Sequence, residues 1–192
     1  MRFLLLCSAF FAATLSPAAR ADTIVLGGGC FWCLDAAYKL LPGITHVTCG
    51  YAGGTTANPS YEEVCTETTG HAEVVQVDYD PAKVTLAEVL DYFWEVHDPT
   101  QVGGQGHDMG AQYRSIILYA SPAQQAAAES SRADAQKDLT KPITTEIVPL
   151  QHFYAAEAYH QDYFKKHPDR RYCAFVIQPK VEKWKSILAK KK

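Results

Sequence analysis

A thiol set between a glycine loop and a helix is the feature that most constrains this chain. Residues 23–26, Thr-Ile-Val-Leu, form a short β-branched apolar run that closes on Gly27-Gly28-Gly29. Such a run reads as a buried strand entering a tight loop. From Cys30 onward the apolar residues fall at Phe31, Leu34, Ala37, Tyr38 and Leu41. That is the spacing of one helical face, and Pro42-Gly43 ends it. Cys30 therefore stands where a helix presents unpaired backbone N–H groups and the positive end of its dipole.

The next elements extend this strand–helix unit. Residues 46–51 read as a second strand, ended by Gly53-Gly54. Residues 55–71, rich in Thr, Gly, Asn and Pro, read as a long functional loop with a short helical turn at 61–65. Residues 72–79 alternate apolar and polar side chains and form a third strand, turned by Asp80-Pro81. Thr85 with Glu88 three residues on is a capping box, and Leu86, Val89, Leu90 and Phe93 carry a helical stripe to about Val96. A glycine-rich loop, 97–112, leads to a fourth strand at 115–119. Strand, helix, strand, strand, helix, strand is the ferredoxin-like split βαβ order. It predicts an α+β sandwich with an antiparallel-containing sheet and helices on one face. C-terminal additions come next: a helix from Ser121-Pro122 to about Leu139, an extra strand over 144–148, a helix over 157–166, and a basic segment opened by Pro179.

The N-terminus reads differently. Met1-Arg2 precedes the apolar run FLLLCSAFFAATL, and Ala19-Arg20-Ala21 is a small-x-small site before Asp22. This is the pattern of a secretory signal peptide, and the run is shorter than the ~20 residues of a membrane span. Residues 1–21 are expected to be removed, leaving 22–192 as a single domain, exported to the periplasm or secreted, with no stable membrane insertion and expected as a monomer. Cys7 lies too early, inside the apolar run, to be a lipoprotein attachment site. The mature chain keeps 16 basic and 21 acidic residues, so no basic excess points to nucleic acid. Five cysteines remain, at positions 30, 33, 49, 65 and 173. Export permits disulfides, but an odd count leaves a thiol over, which tilts the cysteines towards chemistry.

A helix N-terminus favours thiolate over thiol, so Cys30 is expected to titrate below the free value of about 8.5. The plainer reading, a buried cysteine in an aromatic core, leaves the three preceding glycines without a purpose. Cys30-x-x-Cys33 has the spacing of a thioredoxin-like redox pair. No second Cys-x-x-Cys completes a zinc site, and neither G-x-G-x-x-G nor a Lys-Ser/Thr partner makes the glycines a nucleotide loop. Glu73 opens an otherwise apolar strand beside a loop. Partial burial there would raise its pKa and make it a general acid; the alternative is a solvated strand residue. His71 reads as a loop hydrogen-bonding group. Tyr51, Tyr61, Tyr113 and Asp108 supply phenols and a carboxylate from strand ends and loops.

GGGCFW, GYAGGTTANPSYEEVC, TGHAEVVQVDYDP, FWEVHDPT, GHDMGAQYRSIILY and FYAAEAYHQDYF occur in order across residues 27–164. Together they resemble the A-type peptide methionine sulfoxide reductases over nearly the whole mature chain. The resemblance implies a ferredoxin-like core and the reduction of the S epimer of methionine sulfoxide, free or in proteins, as oxidative repair. It implies Cys30 as nucleophile, Phe31 and Trp32 as the apolar pocket for the S-methyl group, and Glu73 as the acid that protonates the sulfoxide oxygen. Tyr61 and Tyr113 match the phenols that hydrogen-bond that oxygen, and Asp108 a supporting acid. A second thiol would close a disulfide, which a thioredoxin-like dithiol would reopen; no metal or organic cofactor is implied.

The chain departs from the pattern at Asp35, where many members have Glu, and at Cys33, where Gly is frequent. Cys173, in RRYCAFVIQPK, resembles a C-terminal resolving cysteine and is the favoured partner, with Cys33 the alternative. Cys49 and Cys65 read as inert. Two rivals stand beside this reading. A general thiol–disulfide oxidoreductase using Cys30 and Cys33 would have no need of Glu73, Tyr61 or Tyr113. A secreted binding domain would keep its cysteines in structural disulfides.

Overall fold

The computed structural model describes residues 21–190. The expected signal segment, Cys7 included, lies outside the described residues apart from Ala21. In chain order the elements are β1 (Asp22–Gly27), α1 (Phe31–Tyr38), β2 (Ile44–Ala52), α2 (Tyr61–Cys65), β3 (Ala72–Tyr79) and α3 (Leu86–Val96). Then come a two-strand hairpin of β4 (Gly104–Gln105) and β5 (Asp108–Met109), β6 (Ile116–Tyr119), α4 (Pro122–Ala135), β7 (Glu146–Pro149), β8 (Phe153–Ala155), α5 (Tyr163–Lys166) and α6 (Gln178–Lys190).

Six strands make one sheet in the order β7-β6-β1-β3-β2-β8. Its centre, β6-β1-β3-β2, is antiparallel throughout, as the split βαβ order requires. The α+β class read from the sequence is the class observed. β7 adds in parallel to β6, and β8 adds antiparallel to β2.

Strand alternation sorts the side chains into two layers. Ile24, Leu26, Val75, Val77 and Ile117 face the main core, which includes Leu34 and Ala37 of α1, Val89 and Phe93 of α3, and Val181 and Trp184 of α6. Val25, Val74, Ile116 and Leu118 face the other way, under Val148, Leu150 and Phe153. Glu73 shares the parity of Val75 and Val77, so the sheet aims it into the helical layer. The capping box of α3 forms as read, with Thr85 Oγ1 accepting from Glu88 N at 3.2 Å and Glu88 Oε2 accepting from Thr85 N at 2.8 Å.

The region around β8 departs from the sequence reading. The helix expected over 157–166 is helical only in α5, entered through Asp162 in the left-handed region at φ 59°. The polar side chains before it are engaged elsewhere. Gln161 Oε1 accepts from Cys49 N, and its Nε2 donates to Cys49 O, both at 2.9 Å. A side-chain amide thus continues the ladder on the β2 edge beyond the end of β8. Residues 153–155, between the strand and the helix expected from the sequence, form β8, and the loop 97–112 contains the β4–β5 hairpin.

Candidate active site

The glycine loop is built for close packing. An added Cβ on Gly27 would lie 2.7 Å from Ile116 Cγ2 and 2.9 Å from the Glu73 carbonyl oxygen. Gly29 adopts φ 96°, a conformation glycine takes without strain, and its N–H bonds Tyr113 O at 3.1 Å. The loop therefore ties the thiol to the segment that carries Tyr113.

Cys30 caps α1 without a side-chain capping bond. The first helical N–H, on Phe31, is taken instead by Glu73 Oε2 at 3.0 Å. Burial pushes the Glu73 carboxyl up to about 8, and the Phe31 hydrogen bond only partly opposes it. Glu73 is therefore largely protonated at neutral pH. The same arrangement corrects the expectation for Cys30. Its thiol is raised well above the ordinary value, by burial first, then by its hydrogen bond to Cys33 and the Glu73 charge; a backbone hydrogen bond at Trp32 is the smallest contribution and the only lowering one. Glu73 holds the helix N-terminus that was expected to hold the thiolate.

Cys33 is the thiol brought down, to about 7, by the Cys30 hydrogen bond first, against its burial, and then by Lys180. Its sulfur lies 3.7 Å from both Lys180 Nζ and Tyr172 Oη. Cys173 is wholly buried at the start of a π-helical turn (Cys173–Ile177). Cys49 is buried and Cys65 exposed, and all five described cysteines are free thiols.

Cys30, Phe31, Trp32, Tyr61, Glu73, Asp108 and Tyr113 all line one cavity of about 260 Å³, together with Tyr172. The residues that the family resemblance matches to nucleophile, acid, phenols and apolar pocket therefore meet there, brought from the start of α1, α2, β3, β5 and the turn before β6. Phe31 is buried and Trp32 half-buried, and the Trp32 indole stacks on Tyr163 at 3.8 Å between ring centres. Burial raises the hydroxyls of Tyr61 and Tyr113, so both remain donors. Tyr51 points elsewhere, its hydroxyl donating to Glu157 Oε2 at 2.8 Å. His71 Nδ1 accepts from Gly54 N, so its Nε2 carries the proton given to Thr56 O.

Three contributors escape the sequence reading. Tyr172 donates to Asp108 Oδ2 at 2.6 Å. Glu157 Oε1 accepts from Tyr61 N at 2.9 Å and fixes the start of α2. His160 is buried against Phe31, Trp32 and Tyr61. Glu157 and His160 lie within the EAYHQDY stretch whose spacing suggests a regular helix, and Tyr172 adjoins Cys173, the more conspicuous residue. A larger groove of about 750 Å³ lies at the other end of the sheet, lined by Leu40, Val84, Tyr92 and Leu188 among others, and holds no thiol. Among the described residues no group of three His, Cys, Asp or Glu is placed to hold a metal ion, and no helix is long and apolar enough to cross a membrane.

The sequence model of one family, peptide methionine sulfoxide reductase, matches residues 22–192. The chain belongs to that family. It is an enzyme of the peptide-methionine (S)-S-oxide reductase class. It is 52% identical over 163 residues to the peptide methionine sulfoxide reductase MsrA of Nautilia profundicola, covering 85% of this chain and 94% of that one. Among solved structures it resembles Mxr1 from Saccharomyces cerevisiae in reduced form, with TM-score 0.77, 35% identity, and 84% of this chain and 94% of that chain covered. It also resembles Mxr1 in complex with Trx2, with TM-score 0.55, 28% identity and coverage of 79% and 91%.

Proposed function

We propose that this reductase acts on the S epimer of methionine sulfoxide, free or in proteins, through a sulfenic acid on Cys30 and an intramolecular disulfide. The observation that carries the reading is a neutral carboxyl, Glu73, facing the same 260 Å³ cavity as the Cys30 sulfur and the phenols of Tyr61 and Tyr113. Sulfoxide sulfur is a poor electrophile until its oxygen is protonated or strongly hydrogen-bonded. A neutral acid and two phenols aimed at that oxygen supply this stabilisation as charge develops. Phe31 and Trp32 offer the S-methyl group an apolar wall.

In the first step the Cys30 S–H bond breaks and its sulfur bonds to the sulfoxide sulfur while Glu73 gives its proton to the oxygen; the thiol proton replaces it on Glu73. The oxygen then passes to Cys30, methionine leaves, and Cys30 is oxidised to the sulfenic acid. In the second step a thiolate attacks that sulfur, a disulfide forms, and hydroxide departs as water with one proton. A dithiol then reduces the disulfide. A thioredoxin-type donor is supported by the likeness to Mxr1 in its complex with Trx2.

Two thiols are candidates for the second step. Cys33 lies one helical turn from Cys30, with its N–H on Cys30 O at 3.0 Å, and carries the lowered thiol; both support it as the first partner. Cys173, the partner favoured from the sequence, is raised by burial and by the charge of Cys33, which supports a later role for it, behind Cys33. Export rests on the leader-like residues 1–21; the family match begins at Asp22, immediately after the expected cleavage site. In that setting the donor is an extracytoplasmic dithiol and the enzyme a monomer that does not insert in the membrane.

The test is a single turnover of resolved sulfoxide epimers by the reduced chain, followed by disulfide mapping. One methionine per enzyme from the S epimer alone, with Cys30 in the new disulfide, is the expected result. Disulfide exchange without methionine from either epimer would overturn the reading in favour of a general oxidoreductase.

A further inference from the structure

The geometry points to Lys180 as the positioning residue that holds the Cys33 sulfur as an anion for closing and reopening the disulfide. The assignment rests on the Cys30–Cys33 chemistry proposed above and names a group outside the cavity lining. Lys180 Nζ lies 3.7 Å from Cys33 Sγ. Among the described residues no carboxylate pairs with this ammonium, although Glu182 stands two residues away on the same helix. Glu182 is taken by Lys185 at 3.0 Å and by the Gln178 amide at 2.9 Å. The cation is left to the sulfur.

The backbone aims it there. Val181 and Trp184 bury one face of α6 in the core, which fixes the rotation of the helix and the direction of Lys180. The π-helical turn Cys173–Ile177 runs directly into α6. An i→i+5 turn takes up one residue more than an α turn, and so rotates the helix beyond it by about 100°. The phase that points Lys180 at Cys33 is set by that extra residue.

The other groups around Cys33 show when the lysine matters. Cys30 is a donor towards it, while the single O–H of Tyr172 is given to Asp108. Asp108 is an opposing negative charge, Glu73 is neutral near pH 7, and Cys173 lies behind as a neutral thiol. In the resting enzyme the Cys30 S–H is the largest influence favouring a Cys33 thiolate, and Lys180 is the largest from a charge. Once Cys30 has become a sulfenic acid, that S–H no longer exists. Lys180 is then the largest remaining influence favouring the thiolate, at the step where Cys33 must attack. The bond that forms is Cys30 Sγ–Cys33 Sγ, the bond that breaks is S–O of the sulfenic acid, and the hydroxide leaves as water. In the return step a thiolate of the external dithiol attacks Cys30 Sγ and Cys33 departs with the electron pair beside the ammonium. A better-stabilised thiolate is the better leaving group, so the lysine serves both directions.

The experiment titrates thiolate by its ultraviolet absorbance in the full reduced chain, in Lys180→Met and in Lys180→Arg. Subtracting the Cys33→Ser counterpart of each isolates Cys33 whether or not a reagent can reach it. The expected result is a Cys33 midpoint raised by about one pH unit in Lys180→Met and restored in Lys180→Arg. At about pH 6, below both midpoints, Cys30 sulfenic acid trapped with dimedone after one turnover should persist about tenfold longer in Lys180→Met, in keeping with a tenfold smaller thiolate fraction. A loss of packing alone would not be rescued by arginine in the pH profile. A midpoint that is the same in all three chains overturns the assignment, even where methionine forms normally. A lysine-dependent midpoint in a chain that makes no methionine overturns the reductase chemistry while leaving the lysine–thiolate pair in place.

Discussion

The antiparallel core, residues 22–119, and the C-terminal wrap packed around it contribute to the site in different ways. The core supplies the groups to which the proposed chemistry gives the reacting roles: Cys30 at the end of a strand and loop, Glu73 at the start of β3, and Tyr113 and Asp108 from the segment before β6. The wrap supplies groups that set how those react. Tyr172 holds Asp108, Glu157 holds the start of α2, His160 backs the aromatic wall, and Lys180 stands against Cys33. The proposed reacting groups are thus carried by the antiparallel sheet and the short segments that enter and leave it, and their adjustment by the later segments packed around it.

The largest effect should come from the core. Glu73→Gln keeps an acceptor for Phe31 N–H but removes the proton, and should slow methionine formation by about 10²–10⁴-fold in single-turnover assays. Disulfide exchange with a dithiol would survive, whereas a loss of both would show that Glu73 acts on the thiols as well. The wild-type rate should fall as pH rises through about 8, where Glu73 loses its proton, and this limb should be absent in Glu73→Gln. The carboxyl is raised in the folded state, so its contribution to stability is fully present below the ordinary value of about 4.5. That contribution is lost as pH rises towards 8. The melting temperature of Glu73→Gln should therefore gain on the wild type across that window, and equal melting curves at every pH would mean that the carboxyl ionises freely.

The wrap is tested next. Trp184→Ala removes a fully buried indole from the joint between α6 and the core and should cost about 3–5 kcal/mol, read by denaturant unfolding. It should also release Lys180, so that Cys33 titrates higher; a destabilised chain with an unchanged Cys33 would separate anchoring from tuning. Tyr172→Phe leaves Asp108 without its 2.6 Å donor. A hydrogen bond to a charged group is worth about 1.5–3 kcal/mol, and the expected result is slower disulfide closure with the initial methionine burst reduced less. Thr85→Ala, at the cap of α3 far from the cavity, should cost about 1 kcal/mol of stability and leave turnover unchanged.

The same division decides how much is legible in the sequence. The core elements are strongly patterned: alternation in residues 72–79, a helical stripe through Leu86 and Phe93, and Thr85 with Glu88 as a cap. Each local signal agrees with the tertiary structure, and the cavity residues lie at the ends of those elements. Residues 157–162 mislead because Glu157 and Gln161 carry helix-compatible side chains whose hydrogen bonds go to β2 and α2 instead. Nothing in their own spacing reports a partner about a hundred residues away. The direction of the Cys30 titration is hidden for a related reason. A helix N-terminus favours an anion, but which group occupies it is a tertiary matter, and the Glu73 carboxyl takes the Phe31 N–H.

The side-chain alternation of β3 has a consequence for how such a chain can vary. One residue inserted between Ala72 and Tyr79, upstream or downstream of the acid, puts the flanking halves of the strand out of step. Placed just downstream of Glu73, with the Val75–Tyr79 pairing kept, it would hand the carboxyl to the face of Val25 and Leu118. Two residues would restore the face and displace the acid by about 7 Å. The irregularity that the β2–β3 pairing does contain, at Ile44 and His46, sits at the end of the strands away from Cys30. The loops can lengthen and the far end can kink, while the span between Glu73 and that kink behaves as a ruler. What guards the acid against drift is the accumulated pairing of two neighbouring strands, far more than the single hydrogen bond the acid makes itself.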